Sequence, residues 1–357
     1  MSFPTLKKDS RYGGLFFVFL SVLPCLSVFG QGSKIVSIIG VGDMMLGTNY
    51  PSKVYLPKNG GSDLLANVHK ILSDADVTFG NLEGTMFDGE GTPKTCNDSS
   101  KCYVFRSPAS YIRHLSDAGF DVLSIANNHS GDFGPAGRRG TKAVLKNAGI
   151  AFAGLEDTDE TAIFERSGLK FGFCAFAPNS GTCDIRSIER AKAIVSSLKK
   201  QCDIVIVSFH GGAEGADNQH VKKQTEMFLG EDRGNVNKFA HAVIDAGADV
   251  VLGHGPHVTR AIELYKGRFI AYSLGNFCTY GRFSLTGPSG ISPIIKVFTN
   301  EKGEFIKGEI TATYQQKTHG PRLDPENRVI AKIRELTMAD FPDAGLDISA
   351  NGIITKR

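Results

Sequence analysis

Residues 247–258 read GADVVLGHGPHV, and this stretch indicates the fold of the chain. Its continuous apolar run predicts a strand over residues 249–252 that is buried on both faces, as strands of parallel sheets are. The loop that follows carries two imidazoles, His254 and His257, and ligands of open α/β sheets collect where such strands end. Two nitrogen donors beyond a rigid strand favour a divalent transition metal. The alternative is a turn whose histidines cap neighbouring backbone.

Short apolar runs alternate with helical patterns on both sides of this stretch, with no internal repeat. Strands are predicted over 34–41, 76–79, 121–125, 150–153, 171–177 and 203–209, and helices over 63–72, 108–118, 136–148, 185–200 and 236–246. This alternation predicts an α/β domain over residues 33–299 with a largely parallel sheet. Residues 300–357 are expected to add a strand and a helix (328–336) packed on that domain.

At least five predicted strands end in a loop that carries a polar group of the metal-binding type. These groups are Asp43, Glu83, Asn128 with His129, His210, and His254 with His257. One such residue is weak evidence by itself, because a lone aspartate at a strand end commonly caps a helix. Five such loops at the same edge of the sheet predict a metal site at the carboxyl ends of the strands. The other five histidines (His69, His114, His220, His241 and His319) are expected to be structural.

This set of donors favours hydrolysis. Asp43 and Glu83 supply carboxylates and the remaining residues supply neutral donors, which suits one or two Mn, Fe or Zn ions better than Ca or Mg. Metal binding lowers the pKa of a bound water and so generates hydroxide near neutral pH. His129, if it is not a ligand, is expected to protonate the leaving oxygen. A structural rim without any metal is the alternative.

Residues 1–30 predict a secretory signal peptide. Basic residues precede an apolar run over residues 15–29, and small residues precede a cleavage position near Gly30 and Gln31. The run is shorter than the roughly twenty residues that a membrane span needs. We therefore expect an exported protein of the periplasm or cell surface, with an uncleaved anchor as the alternative.

Export would allow disulfide bonds. Cys96 and Cys102 bracket a polar loop and could be joined, and Cys174 and Cys183 flank a second loop and could likewise be joined. No CxxC spacing is present, so a thiolate metal site is not predicted. The net charge of +3, without a basic run, gives no support for nucleic-acid binding.

Six motifs follow one another in a recognisable order. They are Gly42-Asp43-Met44-Met45, Asn81-Leu82-Glu83, Asn127-Asn128-His129, His210-Gly211-Gly212-Ala213-Glu214, Gly253-His254-Gly255-Pro256-His257 and Ser273-Leu274-Gly275-Asn276-Phe277. Over residues 34–280 they resemble the CapA family of bacterial proteins, named for poly-γ-glutamate capsule synthesis. That family is similar to the calcineurin-like metallophosphoesterases. The resemblance implies a four-layer αββα sandwich with a dimetal site at the strand ends.

Carried over residue by residue, the resemblance gives His129 the position of the catalytic histidine. It implies metal ligands at Asp43, Glu83, Asn128, His210, His254 and His257. The chain departs from metallophosphoesterases at Met45, where a histidine is usual, and at Glu83, where aspartate is usual. One metal could therefore bind weakly. Glu214 could compensate, or it could be a solvated loop carboxylate.

Two further residues have alternative roles. Asp132 is expected to orient His129 or to form a turn. Asn276 is expected to cap the site or to turn a hairpin. The resemblance implies an exported metal-dependent hydrolase that cleaves a phosphoester or γ-glutamyl bond in a capsule or cell-envelope substrate. The alternative is a non-catalytic accessory protein that serves the capsule synthesis or export machinery.

Overall fold

The structure is a computed structural model that describes Met1, residues 34–96 and residues 102–357. The predicted signal peptide and its cleavage position therefore lie outside the described residues, apart from Met1. In the described ranges, no helix has the length and apolar character needed to cross a membrane.

Strands make up most of the regular structure. The first ten are β1 (Ile35–Met45), β2 (Val77–Leu82), β3 (Thr85–Met86), β4 (Arg106–Ser107), β5 (Val122–Ser124), β6 (Ala151–Ala153), β7 (Thr161–Arg166), β8 (Leu169–Phe176), β9 (Ile204–His210) and β10 (Met227–Phe228). The others are β11 (Glu231–Asp232), β12 (Val250–His254), β13 (Ile262–Tyr265), β14 (Arg268–Ala271), β15 (Asn276–Thr279), β16 (Ile291–Asn300), β17 (Phe305–Tyr314), β18 (Arg322–Leu323), β19 (Leu346–Ile348) and β20 (Ile353–Lys356). The helices are α1 (His69–Leu72), α2 (Ile112–Asp117), α3 (Gly134–Asn147), α4 (Ile188–Lys199), α5 (Val236–Asp245) and α6 (Arg328–Asp340).

Sixteen of these strands form two large mixed sheets, and β3 with β4 and β10 with β11 form two small sheets of two strands each. The first has the order β19-β20-β17-β16-β1-β2-β5-β6, with β15 also paired to β1 and β18 to β17. The second has the order β13-β14-β12-β9-β8-β7. Strands β1, β2, β5 and β6 run parallel, as do β8, β9, β12 and β14, because helices connect most of them. Their carboxyl ends therefore meet on one side of each sheet.

The two sheets pack face to face through apolar side chains. Phe79 of the first sheet and Phe173 of the second have ring centroids 5.5 Å apart. Leu252 of β12 is fully buried in the same cluster. The alternation of exposed and buried positions is absent from β12 because both of its faces are covered.

Helices cover the outer face of each sheet. The side chains of α4 and α5 pack on the second sheet, for example through Val195 and Phe239. Those of α1, α2 and α3 pack on the first sheet through Leu72, Leu115 and Leu145. The order helix, sheet, sheet, helix confirms the four-layer αββα sandwich.

Two predicted features differ in the structure. The helix expected over 63–72 is reduced to α1, and the preceding residues form turns in which Val68 N donates to Leu65 O. Leu64 and Leu65 are nevertheless buried, so the apolar spacing marked a buried face without marking a continuous helix. The boundary predicted after residue 299 lies inside β16, one residue before that strand ends, and β16 pairs with β17 in the first sheet.

The six cysteines among the described residues divide into one bonded pair and four free thiols. Cys96 and Cys102 are joined by a disulfide. Cys174 and Cys183, which could have formed a second disulfide, are free and buried. Cys202 and Cys278 are buried too, as expected of apolar core residues.

We expect Leu252→Ala to lower the free energy of unfolding by about 3 kcal/mol, because it leaves a cavity between the two sheets. Urea denaturation followed by circular dichroism measures this change. Leu229→Ala is the matched control, since the Leu229 side chain is 80% exposed, and it should change the stability by no more than about 0.5 kcal/mol. Equal effects of the two substitutions would show that β12 is not central to the core.

Candidate metal centre

Asp43 lies at the carboxyl end of β1, where two neighbouring residues hold its carboxylate. The parallel pairing of β1 with β2 places Asp43 opposite Asn81, whose Nδ2 donates to Asp43 Oδ1 at 2.8 Å. The other oxygen, Oδ2, lies 3.0 Å from Nδ1 of His257. Asp43 is fully buried, so the direction of both oxygens is determined by the fold.

Glu83, one residue beyond β2, completes a group of three possible metal ligands. Its Oε1 lies 3.5 Å from Nε2 of His257. Asp43, Glu83 and His257 each present a ligand atom, and these atoms lie within 4.8 Å of one another. The structure thus brings three of the six predicted ligands into one group at the ends of strands from both sheets.

Several buried polar atoms around this group have no hydrogen-bond partner among the described residues. They are both carboxylate oxygens of Glu83, Oδ1 of Asn128 and both ring nitrogens of His210. A buried polar atom without a partner costs about 1–3 kcal/mol, and a charged one costs more. Carboxylate and amide oxygens with an imidazole nitrogen are ligands of divalent transition metals. The residues present therefore fit a bound metal ion.

His254 differs from the other predicted ligands. Pairing of β12 with β9 places it opposite His210. Its Nε2 lies 3.0 Å from the carbonyl oxygen of Val41, and its Nδ1 lies 3.4 Å from Oγ of Ser208. Both nitrogens thus have protein partners, and the structure does not place His254 in the group of three. Its role as a metal ligand stays a prediction.

The loop between the two histidines depends on glycine. Gly255 has φ +114°, and a Cβ there would lie 2.7 Å from the backbone nitrogen of Gly211. His257 itself has φ +56°, a region that L-residues rarely occupy. Nδ2 of Asn276 donates to the carbonyl oxygen of His257 at 3.2 Å and so holds this conformation. Asn276 thus supports the loop that carries His257.

The side chains of Asp43, Glu83 and His257 shift one another's pKa values. Burial would raise the pKa of Asp43, but its hydrogen bond to His257 and the nearby imidazoles lower that pKa to about 2. Burial would lower the pKa of His257, but Glu83, Asp43 and Glu214 raise it to about 10. Burial holds the pKa of Glu83 well above its usual value. In the absence of metal, the His257 imidazolium therefore compensates the buried carboxylates.

His129 forms a buried pair with Asp132. Its Nδ1 lies 2.8 Å from Asp132 Oδ2, and burial lowers the pKa of the imidazole. Asp132 is held in turn by the backbone nitrogen of Phe105 at 2.6 Å and by Nζ of Lys94 at 2.6 Å. Asp132 orients His129, as expected, and Nε2 is the ring nitrogen left for chemistry. His129 lines a cavity of about 540 Å³ that also reaches His257.

Glu214 faces the candidate centre. Its Oε2 lies 4.0 Å from Nε2 of His257, and its Oε1 lies 3.0 Å from Nη1 of Arg233. A fully buried ion pair between Arg260 and Glu226 supports this segment, because both residues also bond to the backbone of Ala213. Glu214 is thus within reach of the centre, but an arginine already engages it.

Met45 occupies the position at which the resemblance to metallophosphoesterases implies a histidine. Its side chain is buried, and its Sδ accepts a hydrogen bond from Gly47 N at 3.3 Å. It supplies no nitrogen donor, so this part of the centre lacks the ligand that the resemblance would have led one to expect.

Three residues that position the centre were not predicted from the sequence. Nδ2 of Asn127 donates to Oδ1 of Asn81 at 3.1 Å, which completes a chain of amides leading to Asp43. Arg233 is almost fully buried beside Glu214. Asn81 and Asn127 begin the motifs Asn81-Leu82-Glu83 and Asn127-Asn128-His129, and this position beside predicted ligands could have indicated their role. Arg233 lies in none of the six motifs, and only the tertiary structure brings it next to Glu214.

Comparison with known proteins identifies relatives. The family model for the bacterial capsule synthesis protein PGA_cap matches residues 37–280. The capsule biosynthesis protein CapA of Bacillus anthracis is 26% identical over 93% of this chain and 84% of its own length. The PGA biosynthesis protein CapA of Bacillus subtilis (strain 168) is 31% identical over 68% of this chain and 63% of its own length.

A 5'-nucleotidase precursor from Thermus thermophilus is similar to this chain in structure. It is 12% identical, with a TM-score of 0.44 over 86% of this chain and 59% of that protein. At this TM-score the likeness bears on neither fold nor activity.

We expect Asp43→Asn to weaken Mn²⁺ binding by more than the roughly 10–100-fold that loss of an outer-shell partner costs. In the unsubstituted protein, metal binding should also release a proton. The raised pKa of His257 keeps its imidazole protonated without metal, and the ring must lose that proton to become a ligand. Calorimetry in two buffers of different ionisation enthalpy measures both quantities. The control is Asp245→Asn, which removes an exposed carboxylate paired with Lys266. Equal affinities in the two variants would contradict this metal centre.

The stability of the metal-free protein should fall as the pH rises. The pKa of His257 is raised in the folded state, from 6.5 to about 10. Its contribution is therefore fully present below about pH 6.5 and is lost as the pH rises through about 10. Urea denaturation after chelation, repeated across this range, measures the decline. His257→Gln should show a smaller decline, and parallel pH profiles would contradict the assigned pKa.

Proposed function

Because the chain belongs to the bacterial capsule synthesis protein family PGA_cap, we propose that it is an exported metal-dependent hydrolase acting on capsule or cell-envelope material. One observation carries the proposal: His257 of the three-ligand group lines the same cavity as Asn128, whose buried Oδ1 has no partner among the described residues, and His129, whose Nδ1 pairs with Asp132. Export is supported by the signal peptide that the sequence predicts over residues 1–30.

In this proposal the candidate centre holds one or two divalent transition metals through Asp43, Glu83 and His257, with Asn128 and His210 beside them. A bound ion of this kind supplies a Lewis acid and an activated water. Burial of these residues strengthens their interaction with a cation, because solvent screening is weak there.

His129 acts as the general acid that transfers a proton to the leaving group. Because Asp132 engages Nδ1, His129 takes up and donates a proton through Nε2. The proton passes to the leaving oxygen of a phosphoester or to the leaving nitrogen of a γ-glutamyl amide. Phe105, whose ring centroid lies 4.3 Å from that of His129, shields the imidazole from water.

The second candidate is a non-catalytic accessory protein that binds the polymer for synthesis or export. The buried thioether of Met45 favours it, because that side chain adds no nitrogen donor to the centre. The Bacillus relatives are named for capsule and PGA biosynthesis, which is compatible with either role.

His129→Ala should lower turnover by roughly a hundredfold or more, the size of effect that general acid–base catalysis supplies. Metal content should stay unchanged, because His129 is outside the group of three ligands. The assays are release of p-nitrophenol from p-nitrophenyl phosphate and shortening of poly-γ-glutamate, with metal analysis of the same samples.

His220→Ala is the control, because His220 is a partly exposed histidine paired with Asp340 away from the centre. Turnover of either substrate that survives His129→Ala would remove this residue from the mechanism. A metal-loaded protein that turns over neither substrate and still binds the polymer would favour the accessory role.

A further inference from the structure

A second cavity adjoins the one above the candidate metal centre. The first has a volume of about 540 Å³ and the second about 500 Å³. The two share a wall formed by Tyr103, Arg282, Phe283 and Ser284. A chain lying across this wall would occupy both cavities, with one end at the metal centre.

Arg282 is held in place by aromatic rings. Its guanidinium carbon lies 4.7 Å from the ring centroid of Tyr55 and 5.0 Å from that of Tyr103. Cation–π contacts of this kind fix the plane of the guanidinium and leave its N–H edge available for a ligand. No carboxylate in the described part of the chain forms a salt bridge with Arg282. A planar guanidinium in a fixed orientation can bind a carboxylate or phosphate group through two parallel hydrogen bonds.

Lys317 adds a second positive charge on the far side of the shared wall. The backbone nitrogen of Gly281 donates to the carbonyl oxygen of Lys317 at 2.9 Å, which ties the two segments together. The described lining of the second cavity contains Arg282, Lys317 and polar residues such as Gln316, but no acidic residue. The first cavity, in contrast, contains Glu214 and Glu231.

We propose that Arg282 and Lys317 form an anion-binding subsite that holds the part of a polyanionic substrate extending away from the metal centre. This inference rests on the proposed function, since it assigns the substrate to chains with repeated carboxylate or phosphate groups. The subsite distinguishes such chains from small esters, because a small ester occupies only the first cavity and does not reach Lys317.

Binding of charged and neutral chains to the purified protein tests the subsite. The probes are γ-linked oligoglutamate, its neutral amidated form and a glycerol phosphate oligomer, each titrated by calorimetry at low salt. Arg282→Gln and Lys317→Gln should each weaken binding of at least one charged chain about tenfold. The charged chain that is affected identifies the anion as a carboxylate or a phosphate.

The matched control is Arg139→Gln, which removes an exposed arginine from a separate cavity. Arg282→Lys retains the charge and should recover part of the loss, and thermal unfolding verifies that each variant is folded. Equal binding by Arg282→Gln, Lys317→Gln and the control would overturn the subsite, as would tight binding of the amidated chain.

The same titrations separate the subsite from the hydrolase proposal. Binding that depends on Arg282 and Lys317 without any turnover supports the subsite and contradicts the hydrolase. If the charged chain is turned over and neither Arg282→Gln nor Lys317→Gln changes its binding, the hydrolase proposal is supported and the subsite is overturned. Titration after chelation isolates the contribution of these two residues from that of the metal.

Discussion

The burial of Asp43 and Glu83 side by side is the constraint on which the rest of the centre depends. Two carboxyl groups removed from water lose their hydration and repel each other when both are ionised, so a positive charge nearby stabilises them. In the structure that charge is the imidazolium of His257, 3.0 Å from Asp43 and 3.5 Å from Glu83. A divalent cation can replace the proton of His257, since both satisfy the same carboxylates.

The surrounding framework holds these charges in position from both sheets. Asn127 and Asn81 form a chain of amides that ends at Asp43, and Asn276 binds the backbone of His257. The glycine-dependent loop after β12 carries His257 across the gap between the sheets. A sandwich of two sheets is needed for this arrangement, because the carboxylates come from the first sheet and His257 from the second.

Membership of the PGA_cap family agrees with the envelope polymer context of the proposed function. The chain combines a centre rich in ligands with a positively charged outer cavity, which suits a long anionic substrate. Met45 leaves the centre without a nitrogen donor at a position where the family resemblance implies one. This difference explains why catalysis and polymer binding are both chemically reasonable roles for the same site.

The patterns of the sequence were sufficient for the α/β class and for the rim at which the polar residues gather, whereas the four layers were implied by the family resemblance. Continuous apolar strands and period-3.6 helices are local patterns, and the ends of parallel strands necessarily meet at one edge. The tertiary structure decided which of the predicted ligands meet. It brought His257 to the carboxylates and turned His254 toward the Val41 carbonyl oxygen. It also brought Arg233 and Lys94 to the site, because contacts between residues far apart in the chain leave no periodic signal in the sequence.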